Sequence, residues 1–165
     1  MSAVATKICL LGDFGVGKTS LVARFVRNTF SDKYLTTVGV KVDSREVETP
    51  AGARKLVVWD IAGKSALDTV SQAYIRGAGG LLLVADGTRE ATLRAALYLQ
   101  VQARTTLGEV PVVLLVNKLD RVDEWEIKPA TLAELRKTLP VYETSARSGD
   151  NVEAAFADLA ARLPA

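Results

Sequence analysis

Glycines at 12, 15 and 17, a lysine at 18 and a threonine at 19 stand in the run Gly-Asp-Phe-Gly-Val-Gly-Lys-Thr, residues 12–19. The spacing is G-x-x-x-x-G-K-[ST], which lets backbone hold a phosphate chain. Gly12, Gly15 and Gly17 permit the close wrap in which several N–H groups point at the oxygens. Lys18 adds an ammonium for the outer phosphates, and the Thr19 hydroxyl is a ligand for Mg²⁺. A helix starting at Lys18 would aim its positive end at the same anion. The competing reading is a Gly-rich turn with an incidental lysine. It leaves unexplained the apolar run Ile8–Leu11 before the loop and the stripe Leu21, Val22, Phe25, Val26 after it. The pattern implies a nucleoside triphosphate.

Asn117-Lys118-Leu119-Asp120 follows another apolar run, Val112–Val116, and so falls at the same carboxyl edge of a parallel sheet. Guanine presents two neighbouring donors, its ring N–H and its exocyclic amine, and one carboxylate accepts both. Asp120 suits that geometry. Adenine offers no such pair and would leave a buried carboxylate unmatched, a difference that discriminates by roughly 10⁴ or more. Asn117 can bond the base edge and neighbouring loops, while the Lys118 stem packs along the sugar and base. Alone, N-K-x-D is a short match that also describes a polar loop. Its strength comes from following the phosphate loop and Asp60-Ile61-Ala62-Gly63 in that order.

On these residues the chain resembles the Ras superfamily of small GTPases, and the Rab branch most closely, over almost its whole length. Thr37-Val38-Gly39, Trp59-Asp60-Ile61-Ala62-Gly63, Tyr74-Ile75-Arg76-Gly77-Ala78 and Glu143-Thr144-Ser145-Ala146 extend the match. The resemblance implies GTP and GDP as ligands, Mg²⁺ as cofactor, and in-line attack of water on the γ-phosphate. It implies a metal set of Thr19, Thr37 and Asp60, the last through water. The nucleotide would meet Asp13, Phe14, Gly15, Val16, Gly17, Lys18, Thr19 and Ser20 of the loop, and Phe30, Tyr34, Thr37, Gly63, Asn117, Lys118, Asp120, Ser145, Ala146 and Arg147. Phe30 would lie against the base, or else end the apolar face of the first helix. The Ala146 N–H would meet the guanine carbonyl. Ser31–Val40 and Ile61–Gln72 would be the two switches that effector and regulator proteins read. Trp59 and Tyr74 match two members of an aromatic trio beside those switches, but Val42 stands at the third. Trp59 is then either an exposed docking residue or packing between hairpin and helix.

The catalytic set implied is Lys18, Thr37, Gly63 and Lys64, and here the chain departs from the family. Lys64 stands where a glutamine orients the attacking water. An ammonium only donates hydrogen bonds, whereas an amide also accepts. Lys64 could still stabilise charge on the γ-phosphate, or simply face solvent. Phe14 replaces a small residue, where a ring would either crowd the γ-phosphate or fold beneath the second switch. Slow or partner-assisted hydrolysis is expected; a non-hydrolysing GTP-binding scaffold and a P-loop kinase or ATPase are the rivals.

These residues must be positioned by strands and helices that alternate along the chain. Strands are expected at Lys7–Leu11, Val38–Val47, Lys55–Ile61, Gly80–Asp86, Val110–Asn117 and Val141–Thr144. Helices are expected at Lys18–Asn28, Leu67–Arg76, Arg89–Thr106, Ala130–Leu139 and Asn151–Leu163, the last N-capped by Asp150. Leu81–Val84 and Val112–Val116 are continuously apolar, as in strands covered on both faces. Val38, Val40 and Val42 alternate with polar residues, the mark of an edge strand with one exposed face, and Thr49-Pro50-Ala51-Gly52 turns it into a hairpin. The expected fold is therefore α/β: a P-loop NTPase with a six-stranded, mostly parallel sheet, one antiparallel edge strand and five helices.

The chain of 165 residues is sized for one G domain, residues 1–165, with 48% hydrophobic and 24% charged residues. A net charge of +2 with interspersed signs gives no reason to expect nucleic acid. Cys9 is the single cysteine and histidine is absent, which excludes disulfide frameworks and His-based catalysis. No apolar stretch reaches spanning length and the last residues carry no prenylatable cysteine, so a cytoplasmic protein without a membrane anchor is expected.

Overall fold

The computed structural model describes residues 3–28, 40–63 and 67–164. Its centre is β4 (Gly80–Asp86), in which every residue is buried. The continuous apolar run dictates this, because a strand without a polar face must be covered on both sides. On either side lie β1 (Val4–Gly12) and β5 (Val112–Asn117), then β3 (Gly52–Ile61) and β6 (Val141–Glu143), with β2 (Val40–Thr49) at the far edge. The sheet order is β2-β3-β1-β4-β5-β6. Only β2 with β3 is antiparallel; the other pairs are parallel. The six-stranded, mostly parallel sheet with one antiparallel edge strand is the architecture expected.

Five α-helices lie among the described residues: α1 (Lys18–Arg27), α2 (Thr69–Ile75), α3 (Glu90–Leu107), α4 (Pro129–Leu135) and α5 (Val152–Arg162). They cover both faces. Phe25 of α1 stacks on Phe156 of α5 at 3.9 Å between ring centroids, filling one face with Leu21 and Leu159. The other face packs Ile75, Leu93, Leu99 and Leu132 against Leu81, Leu83 and Leu114. Cys9 is buried there, and burial pushes its thiol up to about 12, so it behaves as an apolar side chain. No helix among the described residues is long and apolar enough to cross a membrane.

Several details differ from expectation. α5 is not capped by Asp150: Asn151 holds the cap position in left-handed backbone, and its amide donates to the Glu143 carbonyl at 2.7 Å. Asp150 uses its own carbonyl to accept from the Ser145 N–H at 3.1 Å. α4 ends at Leu135 rather than Leu139, and a 3₁₀ turn over Leu119–Glu124 had no recognised sequence signal. The edge strand also presents its faces differently. Arg45 crosses the Phe25 ring and pairs with Glu153 at 2.7 Å, and Arg27 binds Asp43 at 2.6 Å, so charged residues cover the α1/α5 side. The strand does have one exposed face, as expected, but Val42, at 47%, lies on it with Ser44, Glu46 and Glu48, while Val47 is buried on the opposite face. The hairpin turn is as expected, with Thr49 opposite Gly52 and the Thr49 hydroxyl donating to the Gly52 carbonyl at 2.7 Å.

Candidate functional site

The carboxyl ends of β1, β4 and β5 bring Gly12, Asp86 and Asn117 to one rim. From Gly12 the chain turns through Gly15 and Gly17, with φ of 77° and 102°, into α1. A Cβ on Gly17 would meet the Asn117 Nδ2 at 2.3 Å and one on Gly12 would meet the Val84 carbonyl at 2.5 Å. Glycine is therefore required twice, once by both conformation and contact and once by contact alone.

Lys18 is 6% exposed, and its Nζ donates to the Gly12 carbonyl at 3.2 Å, with the Asp13 carbonyl at 3.5 Å. Burial holds its ammonium below the usual lysine range, and Asp60 and Asp13 partly offset this. A desolvated cation wrapped in carbonyls is poised for an anion. The Thr19 hydroxyl donates to Asp60 Oδ2 at 2.6 Å, joining the loop to the end of β3. These are hard oxygen donors of the kind that Mg²⁺ takes. Gly63 comes in close: a Cβ there would lie 2.7 Å from the Phe14 Cα and 2.9 Å from Lys18 Nζ. Phe14 itself is 57% exposed, so it is not buried beneath the following loop.

Asn117 ties the rim together. Its Nδ2 donates to the Val16 carbonyl at 3.0 Å, while its Oδ1 accepts from the Thr144 hydroxyl at 3.2 Å and the Ala146 N–H at 3.3 Å. Its side chain, 3% exposed, thus ties the phosphate loop and the segment after β6 to the end of β5. The fully buried Ser145 donates its hydroxyl to Asp120 Oδ1 at 2.7 Å, orienting that exposed carboxylate. Arg24 of α1 donates through Nε to the Ala146 carbonyl at 2.8 Å and through Nη2 to the Arg147 carbonyl. Ser20 and Val16 lie in the same loop and helix start, Val16 fully buried.

Lys118 adopts left-handed backbone, φ 75°, and its Nζ lies 2.9 Å from Asp86 Oδ2. Asp86 lies outside every sequence motif described above. Burial would raise its carboxyl, but the Lys118 ammonium, the Thr88 hydroxyl and amide, and Arg89 together hold it below the usual carboxylate range. An aspartate closing a wholly apolar strand was the available signal. Trp125, likewise outside those motifs, donates its indole N–H to the Lys118 carbonyl at 2.9 Å and packs over Gly87, where any Cβ would strike the ring at 2.1 Å.

Phe30, Tyr34, Thr37 and Lys64 lie outside the described residues, as do positions 31–39 of the first expected switch. On the neighbouring surface Trp59 is half-buried, with its ring centroid 6.4 Å from that of Tyr74 in α2 and the Lys7 ammonium 3.7 Å above it. Val42, its cross-strand partner, is exposed. Trp59 therefore packs hairpin to helix and lies beside the exposed Val42. Among the described residues there is no cluster of three or more acidic, cysteine or histidine side chains that could hold a metal.

The sequence profile of the Ras family matches residues 7–165 of this chain. The GTP-binding protein ypt1 of Schizosaccharomyces pombe is 34% identical over 160 residues, covering 95% of this chain and 79% of the yeast protein.

Proposed function

The chain belongs to the Ras family as a Rab-like small GTPase, and on that premise we propose that it is a Mg²⁺-dependent guanine-nucleotide switch with slow intrinsic hydrolysis. The observation that carries this reading is the Asn117 brace: one side chain fixes the phosphate loop, the end of β5 and the Ser145–Ala146 loop relative to each other. In this reading residues 1–165 work as one G domain. Asp120, oriented by Ser145, accepts from the two guanine donors, and the Ala146 N–H meets the carbonyl of the base. Lys18 and the amides of residues 13–19 hold the phosphates. Thr19 with Thr37 would ligate Mg²⁺, Asp60 acting through water, and the bound ion would neutralise phosphate charge. Thr37 and Gly63 would bond the γ-phosphate, so its loss releases Ser31–Val40 and Ile61–Gln72, which with Trp59 and Tyr74 form the surface read by effectors and regulators.

The slow rate follows from chemistry at two positions. The Lys64 ammonium cannot accept a hydrogen bond from the attacking water. Phe14, exposed on the loop, puts a ring where an incoming partner residue would pass. The same exposure supports the second reading, a GTP-binding scaffold that does not turn over. Single-turnover hydrolysis of GTP by purified protein and by its Lys64→Gln variant tests the proposal. Faster turnover by the glutamine variant is expected. Wild-type protein that is much the faster of the two contradicts the slow-switch reading, and release of no phosphate by either supports the scaffold.

A further inference from the structure

Arg89 closes the turn from β4 into α3 at the N-cap of α3, and above it enters only as a partner of Asp86. Its Nε donates to the buried Asp86 Oδ2 at 3.1 Å, and its Nη2 donates to the Phe14 carbonyl at 2.9 Å, across 75 residues of sequence. Asp86 has already met Lys118 Nζ at 2.9 Å and accepts the Thr88 amide and hydroxyl at its other oxygen. One carboxylate thus faces two cations, and the cluster carries an excess positive charge beside the phosphate loop. Of the five guanidinium N–H donors, the two bonds above use two, and the rest have no partner among the described residues. The side chain is 46% exposed. Its anchor residue stands beside Gly63, where a Cβ on that glycine would lie 2.7 Å from the Phe14 Cα and 2.9 Å from Lys18 Nζ, so Phe14 borders the end of the site that Gly63 and Lys18 share.

We propose that Arg89 is a catalytic residue acting in cis, turning its remaining guanidinium donors toward the γ-phosphate oxygens as GTP is hydrolysed. This rests on the GTPase reading above. The water oxygen bonds to the γ-phosphorus while the bond from that phosphorus to the bridging oxygen breaks. The electron pair stays on the β-phosphate of GDP, and the water proton leaves with inorganic phosphate. Arg89 exchanges no proton in this step. It stabilises negative charge on the phosphate, the part that an arginine finger plays when supplied within the same chain or by a partner. Charge stabilisation does not depend on orienting the water, so this contribution is open to a site with Lys64 in place of glutamine.

The test compares single-turnover GTP hydrolysis and fluorescent-GDP dissociation in the full-length wild type, Arg89→Ala and Arg89→Lys. Arg89→Ala should slow hydrolysis by at least about tenfold, toward the loss typical of a removed charge-stabilising donor. Its GDP dissociation should stay within about threefold of wild type, and added guanidinium ion should restore part of the rate. Arg89→Lys, which keeps a cation for Asp86 but not the planar fork, should also be slow. It serves if the alanine variant fails to fold. Wild-type hydrolysis by either variant overturns the proposal. So does a loss that tracks faster GDP dissociation without guanidinium rescue, which would make Arg89 a brace between loop and strand. Wild-type protein that binds GTP but never hydrolyses it overturns the enzymatic reading itself, and this inference with it.

Discussion

At the scale of single residues, the proposed site depends on polar groups held in place by protein partners. Lys18 is buried among carbonyls, and Asp120 is exposed but held by a hydroxyl whose own residue is fully buried. Asp120→Asn exchanges an acceptor for a group that can also donate. Competition binding should show guanine nucleotide affinity falling by at least about 10² while xanthine nucleotide affinity rises. Ser145→Ala removes the orienting hydrogen bond to Asp120, worth about 1 kcal/mol, together with the hydroxyl that accepts from the Ser148 N–H at 3.1 Å. GDP affinity should then weaken by roughly fivefold with guanine preference retained. Retention of full GTP preference by Asp120→Asn would remove that residue from base recognition. Residue types disclosed most of this constellation in the sequence, because the phosphate loop, Asp60–Gly63 and Asn117–Asp120 are short, ordered and chemically specific. Partners from distant segments were not legible. Nothing local in Asp86, Arg89 or Trp125 says that they converge on Lys118 and Phe14; the parallel pairing of β4 with β5, Asp86 opposite Asn117, creates that neighbourhood.

At the scale of elements, the loops are stiffened by one another more than by their own turns. Asn117→Ala would strip partners from the Val16 carbonyl and the Ala146 N–H, both inside the rim. A cost of about 1–3 kcal/mol is expected, read as a lower urea midpoint together with weaker GDP binding. Gly17→Ala combines a φ of 102° with a 2.3 Å clash on the same asparagine, so nucleotide binding should be lost outright. Strand and helix periodicity made the elements themselves readable, β4 to the residue. Their ends were less so. β1 begins at Val4 because it has Arg54 to pair with, a tertiary cause that no local pattern encodes. Asp150 looked like a cap by residue type, yet the loop that returns to Ser145 uses its carbonyl and leaves the capping place to Asn151.

At the scale of the whole molecule, two apolar layers hold a sheet whose carboxyl rim carries the proposed site. Phe156→Ala would open the Phe25 stack in the apolar layer under the sheet, without removing a polar group of the site. It should destabilise by about 3–5 kcal/mol while nucleotide preference stays guanine, separating fold from site. Acid should act through Asp86, whose carboxyl is held below its ordinary range by Lys118, Thr88 and Arg89. Its contribution to stability is complete above the ordinary carboxylate pKa and is lost as pH falls through the depressed folded value. Urea midpoints measured from neutral pH into that acid range should decline, and more steeply than in Asp86→Asn. The most direct trial of the central claim is calorimetry on refolded, nucleotide-stripped protein titrated with GDP, GTP and ATP in magnesium buffer. Strong heat with both guanine nucleotides and none with ATP is the predicted result; silence with GDP and GTP, or equal heat with ATP, would contradict the account.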